Sequence, residues 1–389
     1  MTAPTLVVIS PHSAATPGLP NRPASLISAF VESRAFADVV VVNRQRPASF
    51  VRSARGGRAI VAGGLVATFR RTPSRIRLVE HPWPFGVLER RFLRGFLGAE
   101  AARAGGGVVV WVADPKSITA VAPAPTGRPS WRVVVDVYDA WDRSPLVRGD
   151  RRRRAVTDGY RAAATGADLV FSNTRAMRER LVELGARDVR LLPNACPSID
   201  RPLTAPSDPT GLVYVGRIHE RFDAALAMAV ARALPDSIIT IAGPVEREPA
   251  GWSALTACPN IRLLGRLDPP LAWQLISGAA ALLVPHVVDD YTRSQDAMKA
   301  WDAIAFGTAV ISTAIPPADG WPPGIAEVCR DRDTFVAAAR RAAAGGLQDG
   351  RADRLAFAAE NGWGDRAATA IRAIDGFGDV DPDAGRIAR

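Results

Sequence analysis

The sequence predicts an α/β protein built as two tandem Rossmann-like domains with a cleft between them, and three observations predict it. The chain has 389 residues, too many for one ordinary core and suited to two domains of roughly 150 to 200 residues each. Short continuous apolar runs alternate with amphipathic stretches in both halves, the pattern of parallel strands buried on both faces. A segment with no helical period, CPSIDRPLTAPSDPTG at 196–211, divides the two series.

In the first half the apolar runs are TLVVIS (5–10), DVVVV (38–42), RAIVAG (58–63), GVVVWVA (107–113), RVVVDVY (132–138), DLVFSN (168–173) and VRLLPN (189–194). Segments such as RAMRERLVELGA (175–186) place apolar residues three or four apart and are expected to be the covering helices. After the divide the alternation restarts with GLVYVG (211–216), SIITIAG (237–243), NIRLLG (260–265), AALLVP (280–285) and TAVIST (308–313). The expected layout is a first domain over 1–200, a linker over 201–211, a second domain over 212–360, a helix over 361–376 and a flexible polar tail over 377–389.

Composition narrows the function classes. Nearly half the residues are apolar (48%) and 23% are charged, which is globular. No apolar run approaches the ~20 residues of a membrane-spanning helix. The opening MTAPTLVVISPH carries no basic leader before a long apolar core, so it reads as the first strand of a mature cytoplasmic domain. Three distant cysteines, Cys196, Cys258 and Cys329, fit neither a disulfide framework nor a zinc site. Residues 1–201 hold 31 Arg and Lys against 16 Asp and Glu, and the remainder holds 18 against 23. One half is therefore built to approach something anionic: a membrane face, an acidic acceptor or nucleic acid.

Rossmann-like domains bind ligands at the carboxyl ends of their strands. The first strand end, VVISPHSAATPGLPN, lacks the GxGxxG spacing of a dinucleotide site, which removes most support for hydride transfer. The stretch YTRSQDAMKAWDAIAFGTAVIST (291–313) is more informative, because Lys116 and Lys299 are the only lysines in an Arg-rich chain. It predicts a helix from about Gln295 to Phe306, with Met298, Trp301 and Ala305 toward the core and Gln295, Lys299 and Asp302 sharing another face. A cation in the first turn and a carboxylate one turn later suit the phosphates and vicinal hydroxyls of a nucleotide diphosphate. A solvent-exposed Lys–Asp pair at i, i+3 satisfies the same spacing. A second strand end, GLVYVGRIHERFD (211–223), puts Gly216 at its tip for close backbone approach and Arg217 beside it to clamp a diphosphate, with His219 and Arg221 adding charge.

Together these segments resemble the GT-B glycosyltransferases, and within them glycosyltransferase family 4. The resemblance lies in VYVGRI, IITIAGPVERE (238–248), NIRLLGRL (260–267) and KAWDAIAFGTAVIS (299–312) of the second half. In the first half it lies in VVVDVYDAWDRSP (133–145) and in GADLVFSNTRAMRERL followed by LLPNACP. Near the end, NGWGDRAATAIRAI (361–374) resembles the family's helix that crosses back to the first domain. The resemblance implies that the second domain binds the donor and the first the acceptor. It implies that Arg217 and Lys299 hold the donor diphosphate, with Gly216 and Arg221 beside them, and that Asp302 replaces the ribose-binding Glu. Asp139, in the Asp-rich strand end, joins Arg217 and Lys299 as catalytic. Transfer would retain the anomeric configuration with no metal or cofactor, the nucleotide diphosphate sugar being a substrate. The chain departs from the family pattern at Ser294, where a Glu is usual, at Ala309 for Pro, and at Tyr138 for His.

Other features carry less. His12, His81 and His286 are separated in sequence, although His12 and His286 follow apparent strands. RGDRRRR (148–154) suits either a solvated face or anionic lipid headgroups, and HPWPFGVLERRFLRGFL (81–97) either a core helix or a membrane-surface helix. The expectation is a cytoplasmic glycosyltransferase acting on a glycan, lipid-linked or small-molecule acceptor; the basic first half suits a lipid-linked or acidic one and peripheral docking on the inner membrane face. A nucleotide-sugar-binding protein without transfer activity is the alternative. A basic nucleic-acid binder is the remote one, since the sequence offers charge but no recognised motif.

Overall fold

The computed structural model describes residues 2–10, 21–45, 58–62, 65–71, 76–82, 87–121, 131–198 and 210–376. The predicted tail over 377–389, most of the predicted linker and His12 lie outside these residues. The chain divides into two compact units: Met1–Asp142, Val147–Leu192 and Gly364–Arg389 form the first, and Arg143–Leu146 and Pro193–Trp363 the second.

The first unit is built on strands β1 (Thr5–Ser10), β2 (Asp38–Gln45), β3 (Arg58–Ala62), β4 (Leu65–Arg71), β5 (Arg77–Pro82), β6 (Val108–Val112), β7 (Trp131–Val137), β8 (Leu169–Ser172) and β9 (Val189–Leu191). Their order across the sheet is β3-β4-β5-β2-β1-β6-β7-β8-β9. Every residue of β1, β6 and β8 is buried, which is why these segments read as unbroken apolar runs. The predicted all-parallel sheet is corrected at one edge: β4 runs antiparallel to both β3 and β5. LVATFRR and RLVEHP, the sequences of β4 and β5, mix Arg, Thr, Glu and His into the apolar pattern and were not among the runs that predicted strands. The segment over 81–97 resolves into a core helix, Val87–Arg103, whose Phe92, Leu93, Phe96 and Leu97 pack into the main cluster of this unit. Arg151, Arg152 and Arg154 are exposed in the first turn of helix Asp150–Gly166. Among the described residues no helix is long and apolar enough to cross a membrane.

The second unit has strands β10 (Leu212–Val215), β11 (Ile239–Ala242), β12 (Ile261–Gly265), β13 (Ala281–Val284), β14 (Ala309–Thr313) and β15 (Glu327–Cys329). All pair in parallel, in the order β12-β11-β10-β13-β14-β15. Chain order runs outward from β10 in one direction and from β13 in the other. The sheet therefore reverses at the β10/β13 junction, where doubly wound sheets leave an open crevice at the carboxyl ends.

The helix after β13 is shorter than its sequence predicts. It runs Met298–Ala305, preceded by a single 3-10 turn, Thr292–Ser294, and Gln295 is extended (φ −93°, ψ 138°). The reason is Asp296, whose side chain accepts from the Asn194 amide (2.6 Å) and the Trp301 indole (2.7 Å), while its carbonyl accepts from Asn194 Nδ2 (2.8 Å). Those bonds hold the chain out of helical geometry until Ala297, so Gln295 does not share the helix face of Lys299. The buried face is Ala300, Trp301, Ala303 and Ile304; Met298 and Ala305 are only partly buried. Trp301 anchors the helix edge-on to Trp321, with ring centroids 4.9 Å apart, and stacks on Phe357 at 6.1 Å.

Candidate active site in the second unit

The candidate site stands where β10 and β13 end. Tyr214 points from β10 into the interior, Gly216 follows the strand, and Lys299 occupies the first turn of helix Met298–Ala305, whose start carries no side-chain cap. Lys299 Nζ lies 4.1 Å from the centre of the Tyr214 ring and 3.3 Å from His286 Nε2. At Gly216, where φ is +148°, a Cβ would stand 2.7 Å from Lys299 Nζ, so only glycine leaves the ammonium its place. Gly243, at the end of β11, has φ +145°, and a side chain there would collide with the Gly216 carbonyl.

Lys299 and Asp302 do not form the exposed i, i+3 ion pair that spacing also allowed: among the described residues Lys299 makes no ion pair. Burial holds the Lys299 ammonium well below its ordinary pKa; the nearby Arg221 guanidinium adds to this and the Asp302 carboxylate partly offsets it. The Asp302 carboxyl is pushed up to about 7 by burial, against the opposing effects of a Trp273 hydrogen bond and the Lys299 charge. Arg221 reaches Gln295 Oε1 at 3.3 Å, and its buried Nε has no hydrogen-bond partner. Arg217 stands at the rim, 61% exposed, paired with Glu246 at 3.1 Å.

Two buried histidines complete the site, and both are neutral at pH 7. Burial drives His219 down to about 4, with Arg221, Lys299 and Arg217 adding to the shift. Its 3.6 Å approach to Glu220 is therefore not an ion pair at that pH. Burial likewise holds His286 well below the usual imidazole value, with Lys299 and Arg221 reinforcing the effect. The site thus gathers Arg217, Arg221 and Lys299 around a strand end, and among the described residues Arg221 and Lys299 have no carboxylate in hydrogen-bond contact. Such an arrangement is completed by an anion with several oxygens.

The structure brings together Gly216, Arg221, Lys299 and Asp302, with Arg217 at their edge. Asp139 belongs to the first unit, just beyond β7. It adopts the left-handed conformation (φ +59°) that Asp tolerates better than most residues. Its carbonyl accepts from the Tyr160 hydroxyl (2.8 Å) and the Trp141 amide (3.1 Å). Ser294 is buried and donates to the Tyr291 carbonyl (2.6 Å). Sequence reasoning left out Tyr214 and treated His286 as isolated. A tyrosine in an otherwise aliphatic buried strand was the available signal for the first, since its hydroxyl must find a partner.

No protein-family model matches this sequence, and no curated protein matches it. Solved structures do match, over nearly the whole chain. Sucrose-phosphate synthase from Thermosynechococcus elongatus superposes with a TM-score of 0.66 at 16% identity, covering 96% of this chain and 98% of that one. Anabaena HepE in complex with UDP-glucose gives 0.63 at 13% identity, covering 96% and 99%. The catalytic domain of starch synthase IV from Arabidopsis thaliana, bound to ADP and acarbose, gives 0.66 at 12%, covering 97% and 99%. These neighbours are GT-B glycosyltransferases, and the likeness is one of fold: this chain has the GT-B architecture of two Rossmann-like units.

Proposed function

We propose that this GT-B chain is a glycosyltransferase that moves a sugar from a nucleotide diphosphate sugar to an acceptor, with retention and without a metal ion. The observation that carries the reading is the set of cations at the β10/β13 switch point that the described residues leave uncompensated: half-buried Lys299 without an ion pair, and Arg221 with a buried, unpartnered Nε. A donor diphosphate supplies the oxygens these groups lack. As the glycosidic bond to the diphosphate breaks, charge grows on the leaving oxygen. Cations already fixed in place stabilise that charge with little reorganisation. Lys299 and Arg221 fill this role, joined by the uncapped start of helix Met298–Ala305 and by Arg217 once it leaves Glu246. Asp302, ionised, accepts the ribose hydroxyls one turn along the helix. Asp139 acts on the acceptor. That two of the structural neighbours were solved with UDP-glucose or ADP accords with a nucleotide-linked donor.

The acceptor is lipid-linked or acidic in this proposal, and the chain works at the inner face of a membrane, docked through the exposed arginines of helix Asp150–Gly166. A second reading, donor binding without transfer, is favoured by one observation: Ser294, occupied by its bond to Tyr291, offers no carboxylate to the donor sugar. A thermal-shift panel of UDP-, GDP-, ADP- and TDP-sugars tests the shared premise. A ligand at 100 times its Kd adds about 2.7 kcal/mol of stability, and the expected result is a shift with at least one of them. No shift across the panel overturns both readings. Nucleotide release that depends on an added acceptor separates transfer from binding.

A further inference from the structure

We infer that His286 is a positioning residue that aims the Lys299 ammonium at the donor diphosphate while leaving its charge unneutralised. This rests on the proposed donor site and adds to it a residue that takes no part in that proposal.

The Tyr214 hydroxyl donates to the Arg217 carbonyl at 3.1 Å, so its single proton is committed there. That hydroxyl lies 3.4 Å from His286 Nε2, and the imidazole is neutral. An Nε2–H would meet the ammonium proton to proton at 3.3 Å, so the Nε2 lone pair accepts from Lys299 Nζ and the ring proton sits on Nδ1.

The backbone that carries the ring is pinned at three points. The His286 amide donates to the Val284 carbonyl (3.0 Å), its carbonyl accepts from Thr313 Oγ1 (2.8 Å), and its backbone bridges to Phe222. A lone pair fixed in this way takes one N–H of the ammonium. The Tyr214 face takes the ammonium's near side. The remaining N–H groups are left for a ligand, with no internal anion bonded to the ammonium among the described residues. A carboxylate at the same point would orient Lys299 equally well but would neutralise it, and an incoming phosphate would then compete with an internal anion. A neutral acceptor orients without competing.

The charged and titratable groups around the pair favour the same outcome. Arg217, His219 and Arg221 come from the loop after β10, Tyr214 from β10, and Asp302 from the helix. The excess charge is positive, and Asp302 is the carboxylate that acts on Lys299. A cavity of about 340 Å³ adjoins His286, lined also by Asp223, Leu226, Thr313 and Cys329, so changes at position 286 have room to relax.

The test compares two substitutions of matched shape, His286→Gln and His286→Glu, in the full chain. Calorimetric titration with inorganic pyrophosphate, UDP, ADP and GDP is run from pH 6 to 10. The Gln variant, whose carbonyl replaces the Nε2 lone pair, is expected to stay within about threefold of wild type. The Glu variant is expected to lose about 10- to 100-fold in affinity, the size of a charge-assisted bond that the ligand must now displace. Wild-type affinity should fall as pH rises through the depressed Lys299 pKa. In the Glu variant that fall should move to higher pH, because the new carboxylate favours the ammonium. Equal affinities in the Gln and Glu variants, with unchanged pH profiles, overturn the inference and leave the donor site standing. Absence of binding in the wild type overturns the donor site itself, and the inference with it.

Discussion

Replacing Lys299 by methionine separates what the residue does for the fold from what it does for the reaction. The substitution keeps the length of the stem and removes the charge. On the stability side it loses a cation–π contact at 4.1 Å, about 0.5–2 kcal/mol, and a hydrogen bond to His286 at 3.3 Å, about 1 kcal/mol. It regains the cost of holding an ammonium out of water beside Arg221, and the thioether recovers about 0.3–1.5 kcal/mol against the Tyr214 ring. The net change should lie within about 1 kcal/mol, a few degrees in Tm. On the catalytic side, losing one preorganised group that meets growing charge costs roughly 3–4 kcal/mol, a factor of a few hundred in turnover. Nucleotide release from the stabilising donor, measured beside a melting curve, reads both numbers. The stability profile adds a signed check. Because the folded state depresses the Lys299 pKa below 10.5, the unfolded chain holds a proton there that the folded one has released. Wild-type stability should therefore climb with pH across that interval, and the methionine variant should lack the climb. Near-normal turnover in a folded Lys299→Met variant would rule out a role for this ammonium in stabilising the leaving group.

Gly216→Ala should cost about 1–3 kcal/mol in chemical denaturation and weaken donor binding, since its Cβ would stand 2.7 Å from Lys299 Nζ at φ +148°; unchanged binding by calorimetry would contradict that geometry. Asp302→Asn should flatten part of the pH dependence of stability. The wild-type carboxyl, raised from 3.8 to about 7, contributes stability that is complete below 3.8 and lost as pH rises toward 7. Discounted for partial exposure, the variant should be about 1–2 kcal/mol more stable than wild type at pH 8, read from urea melts. Charge reversal at Arg151, Arg152 and Arg154, exposed at the start of their helix, should weaken salt-dependent binding to anionic liposomes. Each basic side chain contributes on the order of 1 kcal/mol there, and co-sedimentation that is equal for both proteins would count against the docking proposal.

The fold was legible wherever a strand is continuously apolar in sequence. β1, β6 and β8, covered on both faces, are such runs, and most strands of the second unit share that texture. β4 and β5 were missed because their polar residues break the run that announces a central strand. That Gly216, Arg221, Lys299 and Asp302 come together was legible from strand ends and helical spacing. The helix start was misplaced because helical period cannot see the tertiary bonds of Asp296 to Asn194, 102 residues away. His286 looked isolated for a similar reason. It meets Lys299 13 residues later only because the intervening segment folds back as a 3-10 turn followed by extended chain.

The bonds around Asp296 also give the second unit a mechanical property. Asn194 lies two residues beyond Leu192, where the chain leaves the first unit, and grips Asp296 with both its amide and its carboxamide. Asp296 in turn holds the Trp301 indole, inside the helix that carries Lys299. The point where the chain enters the unit is thus fastened to the Lys299 helix in two side-chain steps that do not cross the sheet. Entry strand and ammonium support share one knot, as a drawstring is sewn to its hem.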